Sequence, residues 1–205
     1  MILSLTAVAV AAALAGQTPE ADPAPASARL VEAARGAGLA DRPDLALQGY
    51  EVEGRSPRSL RDSIDRRRPR SQASGERHDA RTQWSYRTRW RNGPDGQCIP
   101  ATATVILTLT MVLPDLASRE GLSSREQADW DRYFAALVAH EGNHVRIAVA
   151  GQEQMQTAMR ASATCEAMTA VVGATNAEVR AASETYDSQT DHGRREGAVY
   201  PRPGV

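Results

Sequence analysis

The residues that are best suited by type and spacing to catalysis or metal binding form a His-Glu-x-x-His motif, His140-Glu141-Gly142-Asn143-His144. In a helix, residues four apart lie on the same face about one turn along, so both imidazoles can point at one ion. Neutral imidazole nitrogens suit Zn²⁺, which also tolerates an open fourth position. Glu141 would reach the attacking water rather than the ion and act as general base. We therefore predict a zinc site with His140 and His144 as ligands.

A catalytic zinc ion needs a third protein ligand. The extended motif with a third histidine six residues after the second is excluded, because position 150 is alanine. His192 is the sole histidine after the motif, and the neighbouring Gly193 lets the backbone turn toward a site. We predict His192 as the third ligand, with Asp187 and Glu166 as the alternatives. Tyr186, next to this segment, is a candidate hydrogen-bond donor to the substrate oxyanion.

The motif interrupts an apolar helical stripe. Trp130, Phe134 and Leu137 recur at steps of three and four, and Glu141 and His144 continue the same series. Burying such groups without partners would cost several kcal/mol, and a metal ion removes most of that penalty. The alternative is a pair of ordinary helix histidines that hydrogen-bond to their neighbours.

The segments expected to position this motif show apolar residues at every second position in some stretches, as in strands, and at every third or fourth position in others, as in helices. We predict three strands: a short one at Tyr50–Gly54 and two longer ones at 82–91 and 101–113, the last ending before Pro114. We also predict three helices: a short one from Ser56-Pro57 to Pro69 and two longer ones, from a capping Ser124 onward and over Ala163–Thr185. The sequence therefore predicts an α+β fold, in which a small antiparallel sheet packs on a long active-site helix and a second C-terminal helix.

The N-terminus has the composition of an exported protein. Residues 1–15 form a short apolar run that ends in Ala13-Leu14-Ala15, as in a cleaved signal peptide, although no basic residue precedes it. Residues 16–46 are rich in Ala and Pro and are interpreted as a linker, which leaves 47–205 as the folded domain. We expect a secreted or periplasmic protein with no transmembrane segment after processing.

The two cysteines, Cys98 and Cys165, suit one disulfide in an oxidising compartment, and two unpaired buried thiols are the alternative. All 24 basic residues are arginine. The region Arg55–Arg91 carries 12 of them against four acids, a net charge of +8. In an exported protein this region could bind an anionic envelope polymer; nucleic acid is not expected, and a simple solvated face is the competing interpretation.

These features together resemble a bacterial family of predicted secreted zinc-dependent proteases, otherwise labelled a domain of unknown function. The similarity runs from about Tyr50 to Pro201 and rests on the following segments: Tyr50–Gly54 with the Ser-Pro helix, Asp79–Trp84 with Tyr86 and Trp90, the Cys98 strand ending at Leu113-Pro114, Trp130–Tyr133, the His140–His144 motif, and the tail Tyr186–Ala198. The resemblance implies a zincin-like α+β fold with His140 and His144 as ligands and Glu141 as base. It also supports His192 as a ligand.

We therefore predict a zinc metallopeptidase that hydrolyses peptide bonds of a peptide or protein substrate. The same chemistry would permit another amide, such as a cell-wall cross-link, as the substrate. The alternative of a different class is a non-catalytic envelope-binding module with a structural zinc site. Glu141 distinguishes the two, because a structural site has no need of a carboxylate beside its first ligand.

Overall fold

The computed structural model describes residues 24–39, 41–70 and 75–201, so the predicted signal peptide 1–15 lies outside the described residues. Within these ranges the chain is a mixed α+β protein with four strands, four helices and one 3₁₀ turn. In chain order they are β1 (Ala24–Pro25), α1 (Ala28–Gly36), β2 (Leu45–Val52), α2 (Pro57–Arg67), β3 (Arg81–Asn92), β4 (Cys98–Leu116), α3 (Ser124–Ala161), α4 (Cys165–Thr190) and the turn Arg194–Glu196.

The strands form one mixed sheet in the order β1-β2-β4-β3. β3 and β4 are antiparallel, as predicted, with Trp84 opposite Leu109. β2 instead runs parallel to β4, with Tyr50 opposite Pro114, so the prediction of a purely antiparallel sheet is wrong. A parallel pair needs a long crossover connection, and here α2 and β3 lie between the two strands in the chain.

β4 is the central strand, and its alternation was predicted correctly. The inward face is almost completely buried and comprises Val105, Leu107, Leu109, Met111 and Leu113. The strand continues through Pro114 to Leu116, three residues beyond the predicted end at Leu113. Proline is tolerated there because the pairing with β3 reaches only Val112, which leaves Pro114 with a neighbouring strand on one side.

The long helix α3 packs along β4 and carries the motif. Ser123, rather than the predicted Ser124, is its N-cap: the Ser123 side chain accepts from the Glu126 backbone N–H, and the Glu126 carboxylate accepts from Ser123 N–H in return. Trp130 and Leu137 face the core as predicted, each 3% exposed. The apolar stripe therefore directs the motif toward the protein interior.

α4 folds back antiparallel onto α3 through the short connection Ser162–Thr164. Gly151 allows the close approach, because a Cβ at that position would overlap the side chain of Val179. A disulfide joins Cys98 at the start of β4 to Cys165 at the start of α4. α4 extends to Thr190, five residues beyond the predicted end at Thr185, and this extension carries Tyr186 and Asp187.

The segment before β2 differs from the predicted linker over 16–46. Ser27 caps α1, and Leu30 and Ala34 are buried in the main hydrophobic core at 1% and 0% exposure. Their spacing of four residues places both on one face of α1, so this helix adds to the core. Among the described residues, no helix combines the length and the apolar character that a membrane span requires.

Candidate functional site

The three candidate functional residues of the motif lie on the buried side of α3, with the two histidines facing α4 and Glu141 facing β3. His140, Glu141 and His144 are 5%, 5% and 6% exposed. The two imidazole rings are 5.0 Å apart between centroids and nearly perpendicular. The helical spacing therefore brings the two rings together, as the sequence predicted.

Asp187 on α4 meets both imidazoles. Its Oδ1 lies 3.3 Å from Nε2 of His140 and 3.0 Å from Nε2 of His144. One ligand atom from each of these three residues lies within 4.8 Å of the other two. Two imidazole nitrogens and a carboxylate oxygen in this arrangement could hold a metal ion. We call His140, His144 and Asp187 the histidine cluster.

The opposite nitrogen of each ring also has a partner. Nδ1 of His140 is 2.8 Å from Oε2 of Glu196, and Nδ1 of His144 is 2.8 Å from Oγ of Ser183. Because a carboxylate can only accept, Nδ1 of His140 carries the hydrogen. In a neutral ring, Nε2 is then an acceptor, and it faces the acceptor oxygen of Asp187. This geometry calls for a positive charge between them, either a second proton or a cation.

The pKa values at the cluster reflect the same attraction. Burial raises the pKa of Asp187, but the hydrogen bonds to His140 and His144 outweigh it and hold this pKa well below the ordinary value. Burial lowers the pKa of His140, and the hydrogen bond to Asp187 with the charge of Glu141 raises it above its ordinary value overall. The surroundings of Asp187 therefore favour a cationic partner for its carboxylate.

Glu141 is held separately from the cluster. The hydroxyl of Thr82, at the start of edge strand β3, donates to Oε2 of Glu141 at 2.6 Å. Glu141 is not among the residues whose ligand atoms converge. The carboxylate is therefore adjacent to the cluster but oriented by the sheet, as a general base would need to be.

Tyr186 contacts the cluster through its ring and is hydrogen-bonded through its hydroxyl. The ring stacks on His140 at 5.0 Å between centroids. The hydroxyl donates to the Glu196 carboxylate, whose oxygens are 3.0 and 2.9 Å away, and accepts from Asn143 Nδ2 at 2.5 Å. Burial raises the pKa of Tyr186 to about 12; the hydrogen bond from Asn143 acts against this rise, and the hydrogen bond to Glu196 and its charge add to it. The hydroxyl predicted to meet the oxyanion is thus engaged elsewhere.

The other two candidate ligands lie outside the cluster. The ring of His192 packs against His78, with centroids 5.0 Å apart, and its nitrogens are not part of the converging group. Glu166 is exposed in the first turn of α4. At 1.5 Å per residue it lies about 30 Å along that helix from Asp187.

Four contributors to the site were not singled out from the sequence: Ser183, Thr82, Asn143 and Glu196. Ser183, Asp187 and Thr190 recur at steps of four and three, so a helix extended to Thr190 would have placed Ser183 beside Asp187. Asn143 lies within the motif itself. Thr82 and Glu196 are distant in sequence and carry no local signal.

A second buried charged group lies between α2 and the start of β3; we call it the arginine cluster. Arg61 is 3% exposed and forms a bidentate pair with Asp79, at 2.7 and 2.8 Å. The hydroxyl of Tyr133 and the backbone N–H of Tyr200 also donate to Asp79 Oδ2, both at 3.1 Å. The hydroxyl of Tyr50 donates to the Asp79 carbonyl oxygen at 2.6 Å.

Comparison with known proteins identifies a family for the chain. No curated protein and no solved structure matches it significantly. A family profile described as "Bacterial protein of unknown function (DUF922)" matches residues 47–193, a range that contains the motif, Asp187 and Thr82. Since the match spans more than half of the sequence, the chain belongs to this bacterial family of unknown function.

Proposed function

We propose that this protein is a secreted or periplasmic zinc-dependent metallopeptidase. The observation that carries the proposal is the convergence of Nε2 of His140, Nε2 of His144 and Oδ1 of Asp187, with the Glu141 carboxylate beside them and outside the group. Two imidazoles and one carboxylate leave a fourth position open for water and substrate, which is typical of catalytic zinc sites.

The hydrogen bonds around the histidine cluster support the view that it binds a divalent cation, rather than only stabilising the packing of α3 against α4. With its hydrogen on Nδ1, His140 presents a lone pair to the Asp187 carboxylate, and the Ser183 hydroxyl can hold His144 in the same orientation. Histidine ligands usually have their second nitrogen fixed in this way. Two protonated imidazoles around Asp187 are the competing arrangement, and they would need no metal ion.

The proposed chemistry divides between the ion and the protein. When bound, zinc would polarise the scissile carbonyl and lower the pKa of water to about 7. Glu141 would accept the proton of the attacking water and return it to the leaving amine. Thr82 would orient Glu141 for this transfer through its 2.6 Å hydrogen bond. Glu196 and Ser183 would fix the orientation of the two imidazole rings through their hydrogen bonds to Nδ1.

Further features fit the proposal. The Cys98–Cys165 disulfide suits an oxidising compartment outside the cytoplasm. The active-site helix packed on a sheet, with a second helix supplying a carboxylate, is compatible with a zincin-like fold. The family resemblance noted from the sequence points to the same enzyme class.

The direct test is Glu141→Gln in the zinc-loaded protein, with Glu153→Gln as a matched control. Glu153 lies exposed on the same helix, so its change should be silent. We expect Glu141→Gln to retain zinc and fold while cleavage of an internally quenched peptide library falls by at least about 10³-fold. Cleavage at the parental rate would reject Glu141 as the base.

The alternative is a non-catalytic envelope-binding module with a structural zinc site. The exposed side chains of Arg87, Arg89 and Arg91 on the outer face of β3 favour an anionic partner. Arg61, in contrast, is buried and cannot contribute to such a surface. Absence of any peptide cleavage by a zinc-loaded parent, together with salt-sensitive binding to an anionic polymer, would favour this alternative.

A further inference from the structure

Two histidines outside the histidine cluster lie against each other, His78 and His192. Their ring centroids are 5.0 Å apart and the ring planes are inclined by 33°. His192 lies in a left-handed backbone turn, where φ is 51° at Asp191, 50° at His192 and 77° at Gly193. Among the described residues, Asp191 and His192 are the only non-glycine residues with positive φ. Backbone strain of this kind persists where the surroundings fix it, and it often accompanies functional sites.

Both histidines lie close in the chain to residues that contact the site. Gly193 packs on the ring of His140, since a Cβ at that position would lie 3.1 Å from His140 Cγ, and His192 is the adjacent residue. His78 is four residues before Thr82, whose hydroxyl holds Glu141, so it lies at most about 14 Å from Thr82 along the chain. The pair is therefore tethered to one proposed zinc ligand and to the proposed base.

The electrostatics of His78 agree with this placement. Burial and the neighbouring His192 lower the pKa of His78, while the charges of Asp187, Glu76 and Glu141 act in the opposite direction. His78 is thus close enough to Asp187 and Glu141 to be influenced by both carboxylates. A neutral imidazole offers one N–H donor, which can hydrogen-bond to the carbonyl oxygen of a peptide.

A peptidase needs donors for the negative charge that develops on the carbonyl oxygen, and the residue first predicted for this role is engaged elsewhere. The Tyr186 hydroxyl donates to Glu196 and accepts from Asn143. We propose that His78 and His192 form a substrate-binding pair whose imidazole N–H groups donate to carbonyl oxygens at the scissile bond of a peptide. This inference rests on the proposed function and assigns His192 to substrate rather than to the metal ion.

The test compares zinc binding with binding of two probes to the zinc-loaded full chain. A phosphinic tripeptide carries oxygens that imitate the charged carbonyl oxygen, whereas acetohydroxamate binds a zinc ion without a peptide backbone. We expect His78→Ala and His192→Ala each to weaken binding of the phosphinic tripeptide by about 100- to 1,000-fold, as for the loss of one oxyanion donor. The affinity for acetohydroxamate and the zinc stoichiometry should stay at the parental values.

Glutamine variants at the same two positions separate loss of the donor from misfolding, because a side-chain amide keeps an N–H donor at the site. Phosphinic tripeptide affinities between those of the alanine variants and the parent would support donation. Loss of zinc from His192→Ala would overturn the inference and make His192 a ligand. Unchanged tripeptide binding in both alanine variants would overturn it as well. A parent that binds neither zinc nor the tripeptide would instead reject the proposed function, and the inference with it.

Discussion

The arginine cluster and the histidine cluster are both buried and charged, yet their hydrogen bonds differ in kind. In the arginine cluster, the groups that contact the Asp79 carboxylate are all donors: the Arg61 and Arg68 guanidinium groups, the Tyr133 hydroxyl and the Tyr200 N–H. In the histidine cluster, the Asp187 carboxylate faces two imidazole nitrogens, and the His140 ring already gives its Nδ1 hydrogen to Glu196.

The difference shows why burial of charge alone does not mark a functional site. The carboxylate of the arginine cluster is neutralised within the protein, so we interpret this cluster as structural. In the histidine cluster, Nε2 of a neutral His140 ring is an acceptor that faces the acceptor oxygen of Asp187, so the pair calls for either a second proton or a cation between them. The donor and acceptor inventory of a buried group is therefore more informative than its charge.

The largest expected effect comes from breaking the arginine cluster. Asp79→Ala should lower the free energy of unfolding by about 3–5 kcal/mol, because it removes the bidentate partner of the buried Arg61 guanidinium and leaves Arg61 only the partly exposed Asp65 as a carboxylate partner. Urea denaturation followed by circular dichroism measures this change.

Asp131→Ala is the matched control for that prediction. Asp131 pairs with Arg119 at the surface, with 55% of its side chain exposed, so the loss should be about 1 kcal/mol or less. Equal losses for the two variants would contradict the structural interpretation of the arginine cluster.

Breaking the histidine cluster should affect metal binding far more than folding. Asp187→Asn should weaken zinc binding by about 100-fold or more, since loss of a direct ligand exceeds the 10- to 100-fold cost of losing an outer partner. Without zinc, the loss of unfolding free energy should be smaller than for Asp79→Ala, because an amide can donate to an imidazole nitrogen. Competition with a chromophoric chelator gives the affinity. An Asp187→Asn protein with the parental zinc affinity would remove Asp187 from the ligand set.

A smaller effect should follow from changing the residue behind His140. Glu196→Ala removes the partner of His140 Nδ1 and should weaken zinc binding by about 10- to 100-fold. Glu196→Gln should recover part of the affinity, because its amide oxygen can still accept that hydrogen. Glu184→Gln, at an exposed position on α4, is the control. The idea fails if Glu196→Ala binds zinc as the parent does.

The elements with a clear local period were predictable from the sequence. The alternation of β4 and the apolar stripe of α3 follow from burial of one face, and both are confirmed. The parallel pairing of β2 with β4 was missed because no local pattern fixes which strands become neighbours. The packing of Leu30 and Ala34 was missed because the surrounding Ala and Pro residues resemble a linker.

The site was predictable where one helix supplies it and less so where several segments meet. The His140–His144 spacing places both rings on one face of α3 by helix geometry alone. Asp187 remained an alternative because His192 is the only histidine after the motif and three histidines on one metal ion is a common geometry. α4 extends to Thr190 and so carries Asp187 to both imidazoles. Glu196 reaches His140 only through the left-handed turn at 191–193, which is a tertiary feature.

The most direct test of the account is the zinc-edge X-ray absorption spectrum of the zinc-loaded full-length protein. Imidazole ligands produce a characteristic scattering pattern from their outer ring atoms, so the spectrum counts them. We predict two imidazoles and oxygen donors, as expected for His140, His144 and Asp187. A spectrum with three imidazoles would contradict the assignment and return His192 to the metal ion, and a protein that fails to bind zinc would contradict the account as a whole.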